Sequence, residues 1–312
     1  MSTTSSPDPL ADAVPAPPQR KSQLDGLAVL LLLACCVMWG LNQVAAKAAL
    51  SEIGPLWQAA LRSGVAALLV WGWSLARGIA LFTRDGSLPG GLLAGALFAA
   101  EFACIFLGLQ YTTASRMVVF LYLAPFVVAL GMPLIAPSER LGLRRSLGLL
   151  LAFGAVAFAF GEGLTATGEL PRQWLGDLLG LCAALLWAGT TLAIRATRLS
   201  QASAEKTLLY QLAVSTVALS LGALATGEAL PLAWSARLWG LFGFQAVIVT
   251  FASYLVWFWL VRHYPATRLS SFTLSTPLFG LLAGALLLGE PITPRLMLAL
   301  GGLAAGILLV NR

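Results

Sequence analysis

Two ionisable side chains stand deep inside otherwise apolar runs, Arg62 in AALRSG and Glu101 in FAAEFA. An ionised carboxylate at the centre of a bilayer costs about 2.5–3.5 kcal/mol on insertion scales, so Glu101 is protonated, hydrated or paired. The chemistry open to it is proton coupling or recognition of a substrate ammonium. The plainer alternative is an ion pair with Arg62 that fixes packing. Uncharged groups recur nearby in the chain. Asn42 and Gln43 follow Trp39, and Thr190 and Thr191 follow Trp187, by three and four residues. Those spacings share one helical face. A tryptophan away from the interfacial belt needs a partner for its N–H. Such a face either packs on a neighbouring helix or offers a flat apolar wall, with amides and hydroxyls for the carboxylate and ammonium of a zwitterion. Gln245, Tyr254 and Trp257, then Ser271, Thr273 and Ser275, are further polar or aromatic groups in apolar runs. They line a pathway or, for the hydroxyls, bond their own backbone. Tyr111, Trp259 and His263 sit at the ends of runs and suit the interface.

Pro125 and Pro277 fall near the middle of their runs. Proline removes a backbone donor and clashes with the carbonyl four residues earlier. The carbonyls of Leu121 and Thr273 are thereby freed, and in lipid such a break survives only against protein or a wet cavity. Pro125 and Pro277 therefore mark a pathway-lining bend or hinge, or a static kink. Other chemistries lack their residues. The single His263 stands at the end of a run, no GxSxG or GxxxxGKS/T occurs, and Cys35, Cys36, Cys104 and Cys182 form no CxxC. Hydrolytic, ATP-driven, metal-centred and disulfide-stapled readings fall away, and no cofactor is expected.

The elements that position these residues follow from composition. The chain has 312 residues, 59% hydrophobic and 10% charged, with mean hydropathy +0.85. A soluble domain carries about 25% charged residues, so the class is an all-α polytopic membrane protein. Residues 1–25 read as a disordered cytoplasmic tail, rich in Ser, Pro and Ala. Arg20 and Lys21 before an apolar run mimic a signal peptide, but the run to Ala46 is too long, and an uncleaved first helix is expected. Ten spans follow: 27–48, 55–76, 90–110, 115–136, 145–162, 174–196, 206–226, 238–261, 266–288 and 294–311. No connection is long enough for a soluble domain.

With the N-terminus inside, thirteen cations fall on cytoplasmic segments and five outside, with Arg62 within a span, accounting for all 19. That bias places both ends in the cytoplasm. The net charge of +6 is thus an orientation signal and gives no support to nucleic-acid binding. Each half, 26–162 and 163–312, holds five spans, so the halves run in opposite senses: an inverted repeat. Trp39/Trp187 recur at an offset of 148 and Pro125/Pro277 at 152, with Ala114-Ser115-Arg116 echoed by Ala266-Thr267-Arg268 and Glu139 by Glu290. Glycines four apart, Gly91/Gly95, Gly176/Gly180, Gly280/Gly284 and Gly302/Gly306, allow close helix approach. Packing within the bundle is one use, and Gly302/Gly306 on the last span is the candidate contact for a homodimer.

WGLNQVAAKAA, AALRSG, the A-S-R, P and E-R-L series, and the second-half WAGTTLAIRA, STP and LLLGEPIT resemble the drug/metabolite transporter superfamily with two EamA-type units. Pro137-Ser138 replaces the usual Leu-Gly before Glu139. The likeness covers the chain from about residue 27. It implies a ten-helix bundle with both ends inside and a pathway at the repeat interface, most similar to bacterial inner-membrane exporters of amino acids, aromatic ones included. Partners would then be a small-molecule substrate and the lipid bilayer. Exporters of lipophilic cations, which suit the tryptophans and Glu101, are the alternative; phosphate esters need more deep cations than Arg62.

Overall fold

The computed structural model describes residues 24–135, 142–164, 172–264, 269, 272–273 and 275–311. Among these every regular element is helical: α1 Gly26–Ala49, α2 Pro55–Ala76, α3 Leu88–Gly108, α4 Ala114–Leu121, α5 Ala124–Ile135, α6 Leu143–Leu164, α7 Gln173–Ala196, α8 Ala204–Ala225, α9 Ala236–Gly243, a π-helical segment Phe244–Ser253, α10 Tyr254–His263, α11 Ser275–Leu288 and α12 Pro294–Asn311. Seven stretches are long and apolar enough to cross a membrane, and shorter apolar helices accompany them. Each expected span coincides with helix where the chain is described. The expected tail up to residue 23, Glu139, Arg268 and Ser271 lie outside the described residues.

The helix ends have local causes. Asp25 accepts the N–H of Ala28 at 2.9 Å and caps α1. Thr113, Ser203 and Ser235 cap α4, α8 and α9 in the same way, each satisfying one orphan amide. Gly78 and Gly227, at φ 65° and 71°, end α2 and α8. In both, the next amide reaches back five residues, Ile79 to Ser74 at 2.8 Å and Glu228 to Ala223 at 2.9 Å, a left-handed stop that costs glycine nothing. Exposed leucines such as Leu68, Leu150, Leu221 and Leu286 cover the outside, as a bundle solvated by lipid requires.

Helix contacts come in matched sets. α1 packs on α11 as α7 packs on α4 and α5. α3 packs on α7 as α9 and the π-helical segment pack on α1. α2 meets α8, and α6 meets α12. The small-residue seams are spent on these contacts. A Cβ on Gly40 would lie 2.6 Å from the amide nitrogen of Gly280, and one on Gly306 would lie 2.7 Å from the carbonyl of Gly148. Gly302 likewise faces Ala155, so the glycine face of α12 is turned onto α6. A homodimer through the last helix would have to use its other side.

Loop acids tie one half to the other. Glu228 accepts the amides of Leu56 and Trp57 at 3.0 and 3.2 Å, capping α2, which starts on Pro55 and supplies no cap of its own. Asp85 meets Lys206, on the first turn of α8, at 2.8 Å. Hydrogen bonds from Lys206 and Ser87 hold the Asp85 carboxyl below the usual carboxylate range.

The densest polar knot surrounds the turn between α3 and α4. Arg116 is buried and uses both edges of its guanidinium. Nη2 lies 2.6 Å from Asp177 Oδ2, Nε lies 3.1 Å from Asp177 Oδ1, Nη1 lies 2.7 Å from Glu162, and Nη2 also reaches the Ala159 carbonyl at 2.7 Å. Thr112 donates to Asp177 at 2.6 Å, and Thr293 donates to Glu162 at 3.0 Å. Glu290 accepts the amides of Ala114 and Ser115 at 2.7 and 2.9 Å, while Lys47 donates to the carbonyls of Leu109 and Thr112.

Breaking a buried ion pair strands a charge. We predict that Asp177→Asn lowers stability by about 3 kcal/mol in detergent unfolding, and that Glu162→Gln, on the partner that is 23% exposed, costs less. Equal costs would contradict the assignment of Asp177 as the principal partner. For Asp85, a carboxyl held below its unfolded value near 3.9 stabilises fully above that value and loses the effect as pH falls toward the folded one. Asp85→Asn should therefore lower the melting temperature at pH 7, with the gap to wild type closing below about pH 4. A gap independent of pH would rule this out.

Candidate functional site

A seam of polar and aromatic groups runs between α1, α2, α3, the π-helical segment with α10, and α11. Its first part is built on α1. Trp39 donates its indole N–H to Ser253 Oγ at 2.9 Å, and its ring meets that of Trp257 edge-on, with centroids 5.5 Å apart. The need of a mid-span tryptophan for an acceptor is met here by a serine that the residue list above did not include. Ser253 in turn donates to Val249 at 2.6 Å. Asn42 and Gln43, one turn on, are buried, and Asn42 Oδ1 and Gln43 Oε1 have no hydrogen-bond partner.

The π-helical segment carries Gln245, Ser253 and, at its end, Tyr254 to this seam. Thr250 donates to the carbonyl of Gln245, five residues back, at 2.8 Å. This side-chain bond spans the same five residues as the π-helical winding of Phe244–Ser253, a winding that recurs at functional sites. Gln245 accepts from Gln58 at 3.3 Å, and Gln58 also donates to the Ala46 carbonyl at 3.2 Å. Gln58 was not among the sequence candidates. Its signal was present all the same: it precedes Arg62 by four residues and so shares its face of α2.

Arg62 and Glu101 differ from the expectation of an ion pair. Arg62 is 0% exposed, and its guanidinium carbon lies 4.1 Å from the ring centre of Phe102 and 5.1 Å from that of Phe106. Arg62 Nε, Nη1 and Nη2 and Glu101 Oε2 have no hydrogen-bond partner among the described residues. The physical reason is azimuth. Phe102 and Phe106 form one stripe of α3, while Glu101 sits about 100° round the helix from Phe102. Stacking on the rings turns the guanidinium away from the carboxylate. Glu101 and Tyr254 nonetheless remain within electrostatic reach of Arg62.

The proline positions diverge. The span containing Pro125 breaks between α4 and α5, at Tyr122 and Leu123, as the freed carbonyl of Leu121 requires. Pro125 itself is exposed, whereas Pro277 is buried on α11. What the break brings inside is Tyr122, whose ring meets that of Trp187 edge-on at 5.9 Å and which lies within electrostatic reach of Cys36 and Tyr254. Near Pro277, the Phe272 carbonyl accepts from Cys36 Sγ at 3.5 Å and Ser275 Oγ at 2.7 Å, and the buried Thr276 hydroxyl stands near the Cys36 thiol and the Tyr122 hydroxyl. Thr273 is helical and half-buried. Thr190 and Thr191 donate to the carbonyls of Leu186 and Trp187, four residues back, at 3.0 and 3.1 Å, so their protons are spent on their own helix.

Trp39, Trp257, Gln245, Tyr254 and Glu101 are thus drawn into one region with Arg62, Gln58, Ser253 and Tyr122. Trp187 and Thr190 border it from α7. Two cavities lie elsewhere. One, about 260 Å³, adjoins Arg116 and Glu162. The other, about 420 Å³ and apolar, is bounded by Leu27, Trp73, Phe251 and Trp259. Among the described residues no group of three or more His, Cys, Asp or Glu is placed to hold a metal ion.

An all-helical membrane bundle with unsatisfied polar groups in its interior has the makings of a transporter. The chain belongs to the EamA-like transporter family, whose model matches residues 26–161 and again 174–312. It is 28% identical over 283 residues to the uncharacterized transporter YvbV of Bacillus subtilis, covering 90% of each chain. An uncharacterized transporter of Archaeoglobus fulgidus is 25% identical, over 90% of this chain and 96% of that one. A crystal structure shares the fold with a TM-score of 0.64 at 17% identity, over 91% of this chain and 95% of that one.

The Trp39–Ser253 bond yields a test. A neutral hydrogen bond contributes about 1 kcal/mol. Trp39→Phe and Ser253→Ala should each lower thermal stability in detergent by about that much, and the double variant should lose little more than either. Additive losses would show that the bond is not made.

Proposed function

We propose that this protein is a secondary transporter that exports small organic metabolites, amino acids first among them and aromatic ones included, across the bacterial inner membrane. In this reading ten spans form two inverted five-helix halves with both ends in the cytoplasm. The observation that carries it is the seam. Trp39 from the first half meets Trp257 and Ser253 from the second, and one turn on from Trp39 the amide oxygens of Asn42 and Gln43 have no partner among the described residues. Rings suit a planar side chain, and the amides and hydroxyls beside them suit the polar end of a small zwitterion. The matched helix contacts, the twin glycine stops 149 residues apart and the loop acids exchanged between halves support a duplicated architecture. The cation bias of the loops supports the orientation.

A second reading, export of lipophilic organic cations, is favoured by one feature: the Glu101 carboxylate oxygen without a partner close to aromatic rings, a setting that attracts cations. Counterflow in proteoliposomes against amino acids, quaternary ammonium compounds and sugar phosphates separates the two. We expect exchange of aromatic amino acids, lowered about tenfold by Trp39→Ala or Trp187→Ala, the scale of losing an aromatic anchor, with the variants still eluting as folded monodisperse protein. Exchange confined to cations would replace the first reading by the second. Full amino-acid exchange in both variants would dismiss the seam as the pathway.

A further inference from the structure

We propose that Arg62 is the seat of the transported molecule's carboxylate, and that Glu101 on the neighbouring helix receives its ammonium. This deepens the export reading above and rests on it for the identity of the substrate.

Arg116 and Arg62 are both buried arginines. Arg116 shows what a structural one looks like: four partners at 2.6–3.1 Å, two edges of the fork filled by carboxylates and a carbonyl. Arg62 has none of this. Among the described residues its three nitrogens lack any acceptor, although the residue is 0% exposed. A guanidinium keeps its charge in any protein environment, and five N–H groups without acceptors are a heavy cost. The rings of Phe102 and Phe106 hold its face at 4.1 and 5.1 Å. Rings stabilise a cation but accept nothing at its edge. Packing has therefore fixed the plane of the fork and left its edges open, the geometry that a carboxylate fills with two parallel hydrogen bonds.

The neighbours narrow the ligand. Glu101 and Tyr254 are the groups in electrostatic reach of Arg62. Glu101 is 6% exposed, with Oε2 unpartnered. One cation facing one carboxyl group sums to no net charge, which matches a zwitterion. A phosphate ester would bring two negative charges to a single cation with a carboxylate beside it. Gln58 Oε1, one turn from Arg62 on α2, is a further acceptor without a donor among the described residues, suited to an ammonium.

The test uses full-length protein in proteoliposomes with three probes that share a phenyl ring: L-phenylalanine, phenethylamine, which lacks the carboxylate, and 3-phenylpropionate, which lacks the ammonium. Arg62→Gln should lower L-phenylalanine counterflow and binding about 30-fold or more, as loss of one partner of a buried charged pair does. It should leave phenethylamine within about twofold. Glu101→Gln should do the reverse, sparing 3-phenylpropionate. On the wild-type protein, L-phenylalanine should compete for exchange and raise the melting temperature, whereas L-phenylalaninamide should do neither; this arm needs no variant to fold. The proposal is overturned if the amide competes as well as the acid, or if Arg62→Gln spares L-phenylalanine or reduces all three probes alike. Amino-acid exchange indifferent to Arg62 would overturn the seat and keep the export reading. Arg62-dependent exchange of 3-phenylpropionate without any amino acid would do the opposite. Exchange of phenethylamine alone would end both.

Discussion

The bundle depends on how one arginine is satisfied. Arg116 stands where α4 begins, and the residues that neutralise it come from α6 and α7, with Thr293 behind Glu162 at the start of α12. Inside a membrane a guanidinium placed there is tolerable only if all these helices arrive together. Glu290 and Lys47 add α11 and α1 to the same place by bonding the backbone of the α3–α4 turn. The knot therefore fixes the relative positions of six or more helices at one end with strong, directional contacts, while leucine, glycine and alanine fill the contacts elsewhere without much directional preference. The seam deeper in the bundle is free to keep unsatisfied groups because this end holds the helices.

That division has a chemical sense. Where polar atoms only build, as at Arg116 or at the hydroxyls of Thr190, Thr191 and Thr216, every donor atom has an acceptor in the chain. At a cargo site, a complete set of internal partners would compete with the cargo. Among the described residues, the atoms without partners on Asn42, Gln43, Gln58, Arg62 and Glu101 fall on α1, α2 and α3, and that on Ser215 falls on α8. They come from helices of both halves, and the π-helical segment touches α1 and α2 among them.

Much of the fold is legible in hydropathy alone, since a window of about 20 apolar residues is what a bilayer demands; α2 and α12 run over 55–76 and 294–311, the bounds expected for their spans. Pro125 foretold the break before α5. The π register did not show, because the run from 238 to 261 has no proline and hydropathy does not sense how the backbone is wound. Depth was readable for Arg62 and Glu101, and azimuth was not. Their pairing failed because two phenylalanines on the adjacent stripe of α3 offer the guanidinium a better surface. The echo of Trp39 in Trp187 is real in position, yet the first ends on Ser253 and Trp257 and the second on Tyr122. A repeat in sequence conserves where a side chain starts and leaves its partner to whatever helix lies opposite.

The exchanged helix caps bear on how the chain is made. The first amides of α2 wait for Glu228, 172 residues later, and those of α4 wait for Glu290, 176 residues later. During synthesis the first half therefore enters the membrane with open helix ends, which water or lipid headgroups must serve in the meantime. Thr113 caps only the Arg116 amide of α4, and among the described residues no first-half side chain takes the others, so they gain a protein partner only once the ribosome has nearly finished the second half.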